Sequence, residues 1–147
     1  MILVKHLLST SAATLETVPQ EAALIEAARR LRNGTDIVAI CDRAGCLAGI
    51  VTKSDVVERI SECHGASCVA PVAAAMTTDV VCCQAEDLLR DVWGVMRERG
   101  LKNVPIVDAQ HRPVGLVTAR EALQPLLQSV EHEETLLRDY VACVGYR

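Results

Sequence analysis

Two threonine–acid pairs at one spacing are the residues best placed to bind something. Thr52 and Asp55 close the stretch Gly49-Ile50-Val51-Thr52-Lys53-Ser54-Asp55, and sixty-six positions on, Thr118 and Glu121 close Gly115-Leu116-Val117-Thr118-Ala119-Arg120-Glu121. A carboxylate only accepts hydrogen bonds, and it can take both hydroxyls of a cis-diol such as ribose. A hydroxyl placed where a strand gives way to a helix suits phosphate, because the first helical amides point outward with partial positive charge. Lys53 adds a cation beside the first pair. A threonine and an acid three residues apart also make an ordinary helix cap, so the spacing by itself leaves both readings open.

Other chemistries find less support. Seven cysteines (Cys41, Cys46, Cys63, Cys68, Cys82, Cys83 and Cys143) include no Cys-x-x-Cys, and the odd number argues against a complete disulfide framework. They read as small buried hydrophobes. Cys63-His64 with Cys68 is the one group with a redox or metal alternative, though structural zinc wants four ligands in tighter pairs. The histidines His6, His64, His111 and His132 are scattered. With no nucleophile beside a base at a recognisable spacing and no Walker-type phosphate loop, we expect no catalytic residue, no metal and no enzyme.

The elements that position the two pairs follow from periodicity. Leu15-Glu16-Thr17-Val18 alternates as a short strand, and Pro19-Gln20-Glu21 opens a helix with Leu24, Ala27, Ala28 and Leu31 on one face and Asn33-Gly34 at its end. Ile37 to Cys41 is a continuous apolar strand, Asp42-Arg43-Ala44-Gly45 a hairpin turn, and Cys46 to Val51 the return strand. Thr52 or Ser54 caps a helix whose expected apolar stripe is Val56, Val57 and Ile60.

The second half repeats this order. Met76 to Val81 answers to Ala13–Glu16, Leu88–Met96 to the first long helix, and Val104-Pro105-Ile106-Val107-Asp108 to Ile37–Asp42, with Gln110-His111-Arg112-Pro113 in place of the first hairpin tip. This internal duplication is the strongest organisational signal in the chain. It divides the sequence into a repeat over 1–62, a linker over 63–69, a repeat over 70–128 and a tail over 129–147. The tail is expected to be an amphipathic helix carrying Leu136, Leu137, Tyr140 and Val141.

Composition narrows the partners. The chain has 147 residues, a net charge of -4 and no Phe; Trp93, Tyr140 and Tyr146 are its aromatics. A nucleic-acid binder needs a basic face and usually aromatic platforms, so none is expected here. No apolar run approaches the roughly 18 residues of a membrane span, and the opening Met1-Ile2-Leu3-Val4 is too short for a signal peptide. A cytoplasmic protein with no membrane partner is expected.

The duplicated unit resembles a tandem pair of cystathionine beta-synthase (CBS) domains, the Bateman module. The resemblance covers nearly the whole of both repeats. It rests on the glycine-aliphatic-aliphatic-threonine-x-x-acid motif in each half, on Val104 to Asp108 before the second hairpin, on Asn33-Gly34, and on Met76-Thr77-Thr78-Asp79-Val80 opening the second repeat. It implies an α/β fold of two pseudo-twofold-related β-α-β-β-α repeats packed through their sheets, with a short C-terminal helix. It implies a non-enzymatic regulatory module, usually a homodimer, whose two clefts bind adenine nucleotides or other adenosyl ligands. No catalytic or transport segment accompanies the repeats, so regulation of an unidentified partner as a separate subunit is expected.

Carried onto this chain, the resemblance places a main cleft at Thr52, Lys53 and Asp55, with the base against Thr78, Val80 and Val81 and the strand entrance Leu101-Lys102-Asn103-Val104. Lys102 is the expected phosphate contact. The second cleft would hold Thr118, Arg120 and Glu121 with Leu15, Asp36, Ile37 and Val38. Glu121 replaces the usual Asp or Asn, which moves the carboxylate by more than about an ångström, and Asp36 stands where a cation is expected, so this cleft is expected to be weak. Asp36 is also expected to pair with Lys102 or Arg120 when no ligand is present. AMP, ADP or ATP is the expected ligand class for energy sensing, with NAD and S-adenosylmethionine sharing the adenosine that the motif reads. The rival function is a ligand-free dimerisation scaffold.

Overall fold

The computed structural model describes residues 2–8, 15–32, 35–62, 70–128, 130 and 137–138. Its organising strand is β2 (Ile37–Cys41), whose unbroken apolar run is covered on both faces. Val38 and Ile40 turn toward α2 (Leu24–Arg30) and α3 (Lys53–Ser61), where they join Leu24, Ala27, Leu31 and Val56 in a first core. Ala39 turns the other way, into a layer with Leu47 and with Val107 of the second repeat. The sheets of the two repeats therefore meet across this layer.

β2 runs parallel to β1 (Glu16–Pro19) and antiparallel to β3 (Leu47–Thr52), giving the order β1-β2-β3. The second repeat contains α4 (Leu89–Arg99), β4 (Asn103–Val107), β5 (Pro113–Thr118) and a helix over 119–128, α5. β4 and β5 form a two-stranded antiparallel sheet. The counterpart of β1 shrinks here to one parallel bridge between Cys83 and Ile106, so the stretch 76–81 aligned with the first strand is no strand. Pro105 supplies the reason. It stands where β2 has Ala39, and with no N–H to donate it cannot carry the ladder beyond Cys83.

The repeats exchange their opening segments. Val4 and Leu7, the latter on the short helix α1 (Lys5–Leu8), lie in the core of the second repeat with Leu89, Met96, Val104 and Ile106. Val72 lies in the core of the first. Backbone pairs tie the exchange: Val4 N–H donates to the Asp87 carbonyl and Leu89 N–H to that of Ile2, both at 2.9 Å, while Val72 N–H donates to Ala22 and Leu24 N–H to Ala70, both at 2.8 Å. Neither α2 nor α4 has a side-chain cap. The first amide of each, which no helix can satisfy internally, is satisfied instead by the other repeat's opening segment.

Three local expectations are corrected. The helix expected to open at Pro19 opens at Leu24, because Pro19 still pairs with Cys41 and Gln20 N–H donates to the Cys41 carbonyl at 2.9 Å. The second long helix runs past Met96 to Arg99, since Gly100 at φ 66° is the residue that suits a left-handed cap. On α3 only Val56 is buried, whereas Val57 and Ile60 are 66% and 59% exposed. Of the expected tail helix, residues 130 and 137–138 are helical; Leu136, Tyr140 and Val141 lie outside the described residues, as do Asn33-Gly34, Cys63, His64, Cys68 and Cys143. No helix among the described residues is long and apolar enough to cross a membrane.

Candidate ligand-binding cleft

The end of β3 and the start of α3 form one wall of an open cleft of about 400 Å³. Ile50, Thr52, Lys53 and Ser54 come from that wall, Asp36 and Ile37 from the adjoining end of β2, and Gly100, Leu101, Lys102 and Asn103 from the α4–β4 junction of the other repeat. The cleft thus brings together five residues expected in the main site: Thr52, Lys53, Leu101, Lys102 and Asn103.

It also claims two residues expected in the second site. β2 and β3 are antiparallel with Ile37 opposite Thr52, which brings Asp36 and Ile37 to the lining of the Thr52 cleft. Asp36 pairs with neither Lys102 nor Arg120; its Oδ1 lies 3.4 Å from Lys53 Nζ. Both partners are more than half exposed, which makes the pair weak and readily exchanged.

Asp55, the third residue of α3, is not among the residues lining the cavity and completes a capping box. Thr52 N–H donates to Asp55 Oδ2 at 2.9 Å, the Thr52 hydroxyl donates to the same oxygen at 3.1 Å, and Asp55 N–H donates to Thr52 Oγ1 at 3.3 Å. Oδ1 of Asp55 has no hydrogen-bond partner among the described residues. The cap reading of this pair is therefore realised, with one carboxylate oxygen left over.

The second pair is built less fully. The Thr118 hydroxyl donates to Glu121 Oε1 at 3.1 Å and Glu121 N–H donates to Thr118 Oγ1 at 3.2 Å, but the longer side chain makes no bond back to the Thr118 amide. Arg120 is exposed, and Leu15 packs on the layer between the sheets.

The remaining expected residues sit elsewhere. Val38 and Val104 are wholly buried in the two cores. Val80 packs in the layer between the sheets beside Ile50 and Cys82, and Thr78 is exposed. Val81 lines a separate cavity of about 210 Å³ with Cys82, Cys83, Leu88 and Val104. Three lining residues were not among the expected site residues: Ile50, Ser54 and Gly100. Ile50 was legible, since a strand alternates and Ile50 shares a face with Thr52. Gly100 becomes visible only once the end of α4 is known.

Three of the described thiols, Cys41, Cys82 and Cys83, are poor nucleophiles. Burial pushes Cys41 and Cys82 up, and Cys83, buried and beside Asp87 and Cys82, is pushed up to about 12.

This arrangement, a duplicated unit with a threonine–acid cap in each half, matches a known family. A CBS domain family model fits residues 4–62 and again 72–127. The chain belongs to the CBS-domain family. Among solved structures, it is similar to the CBS-domain containing protein ATU1752 from Agrobacterium tumefaciens, with 27% identity, a TM-score of 0.70, and coverage of 83% of this chain and 91% of that one. It is also similar to the CBS domain pair of protein MJ0100, solved in complex with 5'-methylthioadenosine and S-adenosyl-L-methionine, with 25% identity, a TM-score of 0.70, and coverage of 88% and 98%. A curated relative, arabinose 5-phosphate isomerase GutQ of Shigella flexneri, is 28% identical over 113 residues, which is 74% of this chain and 35% of the isomerase. This CBS pair thus spans about a third of the length of the curated relatives it matches.

Proposed function

We propose that this CBS pair is a regulatory module that binds an adenosine-containing ligand, AMP, ADP or ATP, in the Thr52 cleft and signals its occupancy to a second copy and to a regulated protein, doing no chemistry itself. The observation that carries the reading is that Thr52 and Lys53 of one repeat share a cavity with Lys102 and Asn103 of the other. A ligand spanning both repeats binds one of their relative arrangements better than another and shifts the balance by that difference. Asp55 Oδ1 offers an acceptor for a ribose hydroxyl, and Lys102 a cation for phosphate. The adenosyl ligands in the MJ0100 pair support the ligand class.

Thermal shift with AMP, ADP, ATP and S-adenosylmethionine tests this. A ligand at 100 times its Kd stabilises by about 2.7 kcal/mol, which raises Tm by roughly 5–10 °C in a domain of this size. The rise should disappear in Asp55→Ala, read as the ligand-induced change so that loss of the cap itself cancels. No rise with any of the four in the wild type would refute the reading.

A second reading, a ligand-free dimerisation scaffold, draws on the exposed Val57 and Ile60, one turn apart on α3, with Ile25 on α2. The ligand response of the wild type separates the two, and sedimentation of a Val57→Ser, Ile60→Ser double variant tests the dimer surface. The scaffold reading expects dimer loss with no ligand response in the wild type.

A further inference from the structure

The charges of the cleft narrow the ligand; this inference rests on the proposed function above. Three charged side chains line the cavity: Asp36, Lys53 and Lys102. Lys53 is engaged by Asp36 at 3.4 Å, and Lys102 has no ion pair among the described residues. The lining thus carries two cations against one carboxylate, and only Lys102 can meet a phosphate without displacing Asp36. A nucleoside monophosphate brings a charge of about -1.5 to -2, and a triphosphate about two charges more. Each added charge gains little once Lys102 is matched and meets the Asp36 carboxylate.

We propose that Asp36 sets the charge preference of the cleft, holding Lys53 and repelling polyphosphate so that an adenosine ligand with at most one phosphate is bound in preference to a di- or triphosphate. Asp36 can act this way without supporting the fold. Its side chain is 65% exposed and its pairing with Lys53 is a surface one, so removing its charge changes the potential in the cleft and leaves the packing alone.

Titration calorimetry of AMP and of ATP in EDTA, on the wild type and on Asp36→Asn, Asp36→Glu and Asp36→Lys, reads the effect. The wild type should bind AMP more tightly than ATP. With like charges roughly 6 Å apart across a water-filled, salt-screened cleft worth about twofold per charge, Asp36→Asn should improve ATP about fourfold relative to AMP. Asp36→Lys should extend the change and Asp36→Glu should keep the wild-type ratio. Raising salt from about 50 mM to about 500 mM should shrink the effect as screening shortens. A wild type that prefers ATP, or an Asp36→Asn variant that leaves the AMP to ATP ratio unmoved, overturns the proposal while the adenosyl-binding reading stands. A wild type that binds neither nucleotide removes both.

Discussion

A methyl group on Gly49 tests how the two repeats are joined, and the matching change at Gly115 provides the control. A Cβ at Gly49 would stand 2.7 Å from the Thr77 carbonyl oxygen and 2.8 Å from the Met76 sulfur; at Gly115 it would stand 2.5 Å from Leu8 Cδ2. The distances are alike and the consequences differ. The Thr77 oxygen accepts from Ile50 N–H at 3.0 Å, and Thr77 N–H donates to the Ile50 carbonyl at 2.8 Å, so the obstructing atom belongs to the backbone bridge between the repeats. Losing or stretching two such bonds costs about 1 kcal/mol each, and overpacking adds about 1–3 kcal/mol. Restricting the unfolded chain returns about 0.4–1 kcal/mol, which leaves a net loss of roughly 2–4 kcal/mol for Gly49→Ala. Leu8 Cδ2 is the far end of a side chain 39% exposed, and it can rotate away, so Gly115→Ala should fall within about 1 kcal/mol of the wild type. Urea unfolding followed by circular dichroism measures both. Equal losses, or a greater loss at Gly115, would refute the assignment of Thr77 as the fixed obstacle. Because Ile50 also lines the cleft, Gly49→Ala should weaken ligand binding as well.

Three other changes bear on the caps, the turns and the thiols. Thr52→Ala should cost about 1–2 kcal/mol, near the upper range for an N-cap because a complete capping box is lost, and Thr118→Ala about half that, compared by chemical denaturation. His111 holds φ 63° where the first hairpin has Gly45 at φ 84°; His111→Gly should be neutral or stabilise by up to about 1 kcal/mol and Gly45→Ala should cost about 1–2 kcal/mol, an ordering visible in Tm. Cys83 is protonated in the folded chain up to about pH 12. With its folded pKa above its unfolded one, the folded state holds the extra proton, so its stabilisation is complete below the unfolded value near 9 and is lost as pH rises toward 12. The wild type should lose up to about 1.4 kcal/mol per pH unit more than Cys83→Ala above pH 9; parallel stability curves for the two would contradict this.

What could be read beforehand was what depends on short spacing. The hairpins, the strand alternation and the two threonine–acid pairs each lie within a few residues, and duplication showed that the pattern was not chance. Pro19 misled because proline at a strand end and proline at a helix start have the same φ, and only the pairing with Cys41 decides between them. Val57 and Ile60 misled because apolar spacing shows which residues share a face of α3, not whether anything covers it. That Asp36 also lines the Thr52 cleft was hidden because its alignment with Lys102 describes the repeat, whereas its position beside Thr52 follows from the register of Ile37 on Thr52. The exchange of opening segments had no local signal at all, since Val4 and Val72 are ordinary apolar residues whose partners lie far along the chain.

That exchange bears on where a ligand can be held. A helix start is available to an anion only if its amides are not already used. The first amide of α2 and that of α4 are taken by the backbone of the other repeat, and the first of α5, at Ala119, by the Lys102 carbonyl, which leaves the start of α3, where Thr52 stands. At α3 the hydroxyl proton and one carboxylate oxygen are committed to the capping box, so a ligand that takes the Thr52 hydroxyl must give back what the cap loses, about 1 kcal/mol. Asp55 Oδ1 and Lys102 can be used at no such cost. A ligand that draws on the Thr52 hydroxyl therefore keeps a moderate net affinity, because part of its binding replaces bonds the empty protein already makes.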